Sequence, residues 1–523
     1  MPASYLKIGG ELLEDALLSS VEVEEELNHH TWCRITCRQT LDRRFPFEDF
    51  LGKPVEVITF DQQGATNSLF SGFVLDSEME YEIYGSYTAR ILAVTASYKL
   101  SISAGEAYYR KQTLPGVASE IATRCGVAVD VQSPARALRN YVQWGESDFD
   151  FLVRLADDHQ SWIRATAAGV QICGEFQDAT KLQWRADDGQ GLTEFEVTGR
   201  LGQPSFGGTH YNARMMQSQT LRAVRKPAES FGSSAPMTAA VQKQSEARLP
   251  EGFLHVDGRA ATVDEFRALL ERESVRSIGA GTHCRGQSRN EQVKSGNTVE
   301  ITGVLDARGT YGVTRVIHRW TKQGYTNEFW CTPWKNYVSP AMPASRRMRG
   351  IVSARVVDQN DPRKMGRLKI QYDWQERGET GWARMATPHA GGDRGFLFLP
   401  EKGDEVLVAF ENGDPERPIV LGSLWNGVDK APRTEFWGGD IEPNDVKRIV
   451  TKSGHRIQLV DKEGKEALVV ATPTKLKIAL LEKADETGRP MLLLHSEDGD
   501  IYVSAPNGRI HIQSAFFSRE VKG

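Results

Sequence analysis

Up to about residue 329 the chain alternates between apolar and polar positions in short runs, and only two stretches break into a helical period. Val55-Glu56-Val57-Ile58-Thr59-Phe60 and Tyr87-Thr88-Ala89-Arg90-Ile91-Leu92-Ala93-Val94 carry the β-branched and aromatic enrichment of half-buried strands. The first helix is announced by Ser147 as N-cap with Asp150 three residues later. Phe149, Leu152, Val153 and Ala156 then fall on one face, and the pattern ends near His159. The second starts at Thr262 with Glu265 completing the capping box and runs through Phe266, Leu269 and Leu270 to about Ser277. Between them residues 225–244, poor in aliphatics and rich in Pro, Ser and Ala, read as a surface excursion. Residues 1–337 therefore read as one α+β region.

The texture changes after residues 338–349, a segment with two prolines and three arginines and no period, expected to be a linker. Residues 350–427 alternate as short strands between Asn-Asp-Pro and Gly turns, the pattern of a small closed β-barrel, with an oligonucleotide/oligosaccharide-binding (OB) type as the expected topology. Expected strands include residues 350–357, 366–372, 396–400 and 405–410, with Glu411-Asn412-Gly413-Asp414-Pro415 as a hairpin turn. Gly366, Gly395, Gly403, Gly413 and Gly422 are assigned to barrel turns, where a side chain would conflict with tight backbone geometry. Residues 428–452 read as a second linker. Residues 453–523 hold short alternating pieces, the last at 501–504 and 509–513, separated by Gly- and Asp-rich turns. One chain of such strands buries only a thin apolar stripe, which favours intertwining with other chains or stacking. An ordinary β-sandwich tail is the alternative, and Met491-Leu492-Leu493-Leu494 is unusually apolar for a needle surface.

Composition narrows the function classes. With 523 residues there is room for three or four domains, at roughly 100–200 residues each. A net charge of −5 gives no chain-wide basic field for nucleic acid. The N-terminal MPASYLKIGGELLED lacks a signal pattern, and no run of about 18 apolar residues occurs, so the expectation is synthesis in the cytoplasm. Six scattered cysteines, Cys33, Cys37, Cys125, Cys173, Cys284 and Cys331, form no disulfide framework and are read as buried thiols.

Candidate chemistry is thin. His29, His30, Cys33 and Cys37 have the residue types of a metal site, yet Trp32-Cys33-Arg34-Ile35-Thr36-Cys37 alternates as a strand that turns both thiols to the core side with Ile35. His283-Cys284 lacks a third partner for a nucleophile–base pair. Glu146, Asp148 and Asp150 cluster at a helix N-terminus, where the macrodipole favours carboxylates. GxSxG, P-loop and HExxH motifs are missing from the sequence. No catalytic residue, metal ligand or cofactor is assigned. Trp374, Trp382 and Arg384 support one alternative, a secreted binding module whose barrel holds polysaccharide or nucleic acid. The acidic Asp373, Glu376, Glu379 and Asp393 argue against it.

The barrel sequence, with NDPRKMGRLKIQYDW and GWARMATPHAGGDRGFLFLPEKGDEVLVAFENGDPERPIVLGSLWNG, resembles the VgrG-type spike proteins of type VI secretion and of contractile-tailed phages. Upstream, Tyr141 to Leu152 (YVQWGESDFDFL) resembles the helix entry of that family's hub, and Tyr311-Gly312-Val313 through His318 and Tyr325 its closing strands. The resemblance spans residues 4–427 and is weaker over 225–261. It implies a mainly β chain with an α+β hub of two related β-rich subdomains, tail-hub-like β-barrel domains, an OB-type barrel and a C-terminal intertwined β-helix or prism. It also implies a homotrimer that adapts a hexameric inner tube protein and baseplate proteins to a membrane-puncturing needle. A PAAR-repeat tip protein and cargo would complete the needle, the target membrane would be met transiently, and nucleic acid has no place. After cytoplasmic synthesis the expected destination is an injection particle, then the outside or the target cell. Only 25 residues, 428–452, separate barrel from needle, and the chain runs about ten residues past the last expected strand, which leaves no room for a lysozyme or effector domain. The expectation is therefore a non-enzymatic spike, with the compact length pointing toward a phage-tail-like particle.

Overall fold

A computed structural model describes the chain apart from residues 1–3, 14–17, 41–46, 61–65, 84, 103, 134–138, 186–190, 213–216, 227, 232–235, 255–261, 341–347, 349, 376–379, 433–442, 475, 484–487 and 515–523. Contacts divide it into two compact units, Met1–Leu424 and Trp425–Gly523.

The first unit is organised by a 13-stranded sheet. Its first half contains β1 (Leu18–Glu26), β2 (Trp32–Thr40), β3 (Pro54–Phe60), β4 (Thr66–Glu82) and β5 (Ser86–Val94). Strict alternation in β2 sends Cys33, Ile35 and Cys37 inward opposite Ala93, Ile91 and Ala89 of β5. An α/β insertion follows, with β6 (Ala104–Gln112), α1 (Leu114–Cys125), β7 (Arg139–Ser147) and α2 (Asp148–Asp158). Next come β8 (Leu192–Gly199), α3 (Pro236–Arg248) and α4 (Val263–Gly281). The second half of the sheet is completed by β9 (Thr282–Ser288), β10 (Asn297–Thr302), β11 (Gly309–Thr321) and β12 (Gly324–Thr332). The two halves join where β11 pairs antiparallel with β1, His318 opposite Val23 and Trp320 opposite Val21.

Both expected helices form where their caps lie. The Ser147 hydroxyl accepts from the Asp150 backbone N–H at 3.1 Å, and Thr262 caps Glu265 at 3.2 Å. The second continues past Ser277 to Gly281, because Ile278 is also on its buried face. Among the described residues three α-helices escaped the periodicity reading, the shortest of them the single turn Lys99–Ile102. In α1 the signals are Thr113 as N-cap, Pro115 in the first turn and Gly126 at φ 61° as the left-handed cap. In α3, which begins in the expected surface excursion and runs past its end, the buried face is only Val241 with the polar Thr238 and Ser245, too weak to stand out in the sequence. A buried ionic cluster ties α4 to α2: Arg276 Nη2 donates to both Asp157 carboxylate oxygens at 2.9 Å, Arg272 donates to the Asp157 carbonyl at 2.9 Å, and Glu273 pairs with Arg276. Breaking such a buried pair from one side costs about 3–5 kcal/mol.

The barrel is closed, in the order β13 (Val352–Asp358), β14 (Leu368–Tyr372), β15 (Trp382–Met385), β17 (Pro418–Ser423) and β16 (Glu405–Phe410). Ala354, Val356, Leu368, Ile370, Val406, Val408 and Val420 fill it. Two sequence expectations are corrected. Residues 396–400 are not a strand; they form an arm between β15 and β16 whose Phe396, Leu397 and Phe398 point to solvent. The 338–349 segment, described only at 338–340 and 348, is more than a linker. Met348 is buried in the barrel core, and its N–H donates to the Gly413 carbonyl at 2.8 Å.

The second unit is one antiparallel meander, β18 (Val446–Val450), β19 (Arg456–Val460), β20 (Ala467–Ala471), β21 (Lys477–Leu481) and β22 (Met491–His495). Its first strand falls inside the expected 428–452 linker, because Val446 to Val450 finds a full ladder on β19. The expected strands at 501–504 and 509–513 have no ladder partner among the described residues and are exposed.

Candidate functional site

Two regions of the described residues stand out, the junction of the insertion with the barrel and the C-terminal meander. Within the first unit, the β6–β7 pair of the insertion packs on the barrel. Trp144, from the YVQWGESDFDFL stretch, joins the barrel core with its ring 4.5 Å from Trp374, which stacks in turn on Tyr372 at 4.7 Å and 6°. The Tyr108 hydroxyl accepts from the Gly381 N–H at 3.0 Å. The same stretch secures its own helix: Asp148 is fully buried, receives Gln143 Nε2 at 2.7 Å and pairs with Arg124, while Glu146 accepts from Arg154 at 2.6 and 3.2 Å. The acidic trio is thus spent on capping and ion pairs. Trp374, considered as a base-stacking platform, is occupied in the junction, and Trp382 lies under Lys369 and Arg367.

Barrel turns are set by a few groups. Gly366, Gly395, Gly403 and Gly413 have φ of 66°, 138°, 103° and 76°, and Asn412 precedes Gly413 at 55°. Gly422 differs: it sits in β17 beside a register shift, has no left-handed φ, and a side chain there would meet nothing within 4 Å. The loop between β13 and β14 hangs on Asp361, which sequence reading passed over. Its carboxylate receives Arg367 Nη2 at 2.6 Å and Nε at 2.9 Å, and the N–H groups of Arg363 and Met365 at 3.0 and 2.9 Å. Hydrogen bonding from Arg367 holds this carboxyl well below the usual range.

In the second unit the two faces of the meander differ. Register places Ile449, Ile457, Val470, Ile478 and Leu494 in one row and Lys447, Leu459, Leu468, Leu480 and Leu492 in the next, all on one face. The nine apolar members are between 37% and 63% exposed. The other face buries Val460, Val469, Ala471 and Ala479, and with them Gln458, whose amide oxygen and nitrogen both lack a hydrogen-bond partner among the described residues. The sequence signal was the continuous apolar run Met491–Leu494, which serves both faces.

The remaining candidates are structural. His30 bridges Ser97 at 2.8 Å and Ser101 at 2.7 Å, and burial lowers its pKa to about 4, so it is neutral at pH 7. Burial pushes the Cys37 thiol up to about 12 and Cys173 to about 11, far from thiolate reactivity. His283 and Cys284 point to opposite faces of β9, and Cys284 lies instead across from Cys331. Among the described residues no group of three or more His, Cys, Asp or Glu could hold a metal ion.

Comparison with known proteins matches the same two regions of the first unit. The phage tail baseplate hub (GPD) profile covers residues 24–324, more than half of the chain. The chain belongs to the baseplate hub family. The type VI secretion system/phage-baseplate injector OB domain matches residues 352–425, the closed barrel. Among curated relatives, the type VI secretion system spike protein VgrG5 of Pseudomonas aeruginosa is 21% identical over 426 residues, 71% of this chain and 52% of that protein. The actin cross-linking toxin VgrG1 of Vibrio cholerae is 23% identical over 414 residues, 72% of this chain and 37% of the toxin. The hub-family chain thus spans about half the length, or less, of these relatives. Among solved structures, a chain of the half-lidded Francisella PdpA–VgrG complex superposes with a TM-score of 0.60 at 9% identity, covering 94% of this chain and 88% of the other. The Escherichia coli c3393 protein, a type VI secretion component with structural similarity to phage T4 gp27 and gp5, gives 0.52 at 16% identity, covering 80% and 99%. These likenesses concern the fold.

Proposed function

We propose that this baseplate hub protein works as the non-enzymatic, homotrimeric hub and spike of a contractile injection system. The bare apolar face of the C-terminal meander carries the reading. Nine exposed aliphatic side chains on one sheet face are a hydrophobic surface of the kind a soluble monomer rarely leaves open. Two further copies would cover it and turn the meander into one wall of a three-chain prism. The 501–513 segment, which lies in no ladder among the described residues, would find one there as well.

In this reading the hub halves meet the inner tube and baseplate proteins, the Trp144 junction passes axial load to the barrel, and the prism punctures the target membrane beneath a PAAR-type tip with cargo. The protein is made in the cytoplasm and leaves it inside the particle. The names of its relatives favour a type VI secretion machine over a free phage-tail-like particle, and the genes neighbouring it decide between them. The test is light scattering on the purified full chain. A trimer is expected, and a monomer at micromolar concentration overturns the reading.

A further inference from the structure

All six cysteines are free thiols, and sheet register brings two of them together. Cys284 of β9 is the direct antiparallel partner of Cys331 of β12. Residues opposed in this way have Cα atoms about 4.5–5.5 Å apart and side chains on the same face. A disulfide spans Cα separations of about 4.4–6.8 Å, so the pair can be bridged without sliding either strand. Both side chains are buried, at 1% and 2% exposure, in one core cluster with Val313 and Phe329. The other four cysteines have no cysteine as a register partner. Cys33 faces Val23 and Ala93, Cys37 faces Leu18 and Ala89, Cys173 faces Trp162, and Cys125 ends α1.

We propose that Cys284 and Cys331 are a redox pair that closes into one disulfide when the hub reaches an oxidising compartment. Each thiol gives up a proton and an electron, a sulfur–sulfur bond forms, and the oxidant, itself a disulfide, is reduced to two thiols. Burial, with the Cys284 thiol beside it, pushes the Cys331 thiol well above its ordinary range, so attack waits on a local opening of the β9–β12 ladder. When the ladder recloses, register sets the mixed disulfide against the thiol opposite, which selects this pairing over any other. A reducing cytoplasm keeps the pair open, and an oxidising exterior closes it. That the hub travels between the two rests on the spike reading; the pairing itself does not. The bond would tie β12, the last strand of the large sheet before the barrel, to β9 and would stabilise the hub by restricting its unfolded chain.

The purified full chain is incubated with oxidised glutathione, one sample in native buffer and one in moderate urea that opens the ladder, then alkylated and digested without reductant. Mass spectrometry is expected to find one peptide pair joined through Cys284 and Cys331, and the thiols titrated in denaturant should fall from six to four. Dithiothreitol should restore them, and the oxidised hub should melt at a higher temperature than the reduced one. Cys331→Ser should give no such link. Six free thiols in both samples, or links that join other cysteines instead, overturn the redox pair. Light scattering on the same samples separates the two readings: a trimer without the link leaves the spike standing and removes the pair, while a monomer that carries the link does the reverse.

Discussion

The barrel at residues 348–424 and the meander at residues 446–495 are written in the same code and solve burial differently. In both, strands of four to seven residues alternate, and glycine or aspartate turns join them. The barrel returns β16 and β17 to β13 and β15, so one chain encloses Leu368, Ile370, Val406 and Val408 completely. The meander runs β18 to β22 in order without closing and leaves its second face bare. The difference teaches that alternation fixes which residues share a face, while closure decides whether one chain can hide that face.

The contrast can be broken most forcefully in the meander. Leu480→Asp puts a charge in the middle of the bare face; the full chain is expected to lose its trimer in light scattering, while circular dichroism and the melting of the first unit stay unchanged. If the trimer survives, that face is not the interface. In the barrel the reverse holds. Leu368→Ala removes a fully buried side chain and is expected to cost about 2–5 kcal/mol in denaturant unfolding of the first unit, without changing assembly through the meander.

Asp361→Asn weakens the loop between β13 and β14 by about 1.5–3 kcal/mol, the scale of charged hydrogen bonds. The folded carboxyl lies below its unfolded value, so the stabilisation is fully present above about pH 4 and fades as the pH falls below that toward the lower folded value. The asparagine variant should show a flatter stability profile there, and an unchanged profile would remove Asp361 from the account. The smallest effect expected is Gly413→Val, about 1–2 kcal/mol for forcing a β-branched residue to φ 76°. Gly422→Ala serves as the control and should be close to neutral, since its φ is ordinary and its surroundings are open.

By itself the sequence determined what local chemistry can fix. Ser147 and Thr262 capped their helices, Asn412-Gly413 made its left-handed turn, and alternation put Cys33, Ile35 and Cys37 on the core side of β2. Those outcomes depend on neighbours within a few residues. The barrel's family likeness was also legible, because its motif residues lie close together along the chain.

Only the tertiary structure decided the rest. Phe396-Leu397-Phe398 has the composition of a strand, yet no neighbouring strand offers a ladder, so it stands out as an arm. Trp144 lies in a hub motif, yet its ring belongs to the barrel core more than 200 residues downstream. Val446 to Val450 resembled a linker until β19 supplied its hydrogen bonds. In each case the deciding partner is distant in sequence, and hydrophobic pattern says that a side chain needs cover without saying which segment provides it.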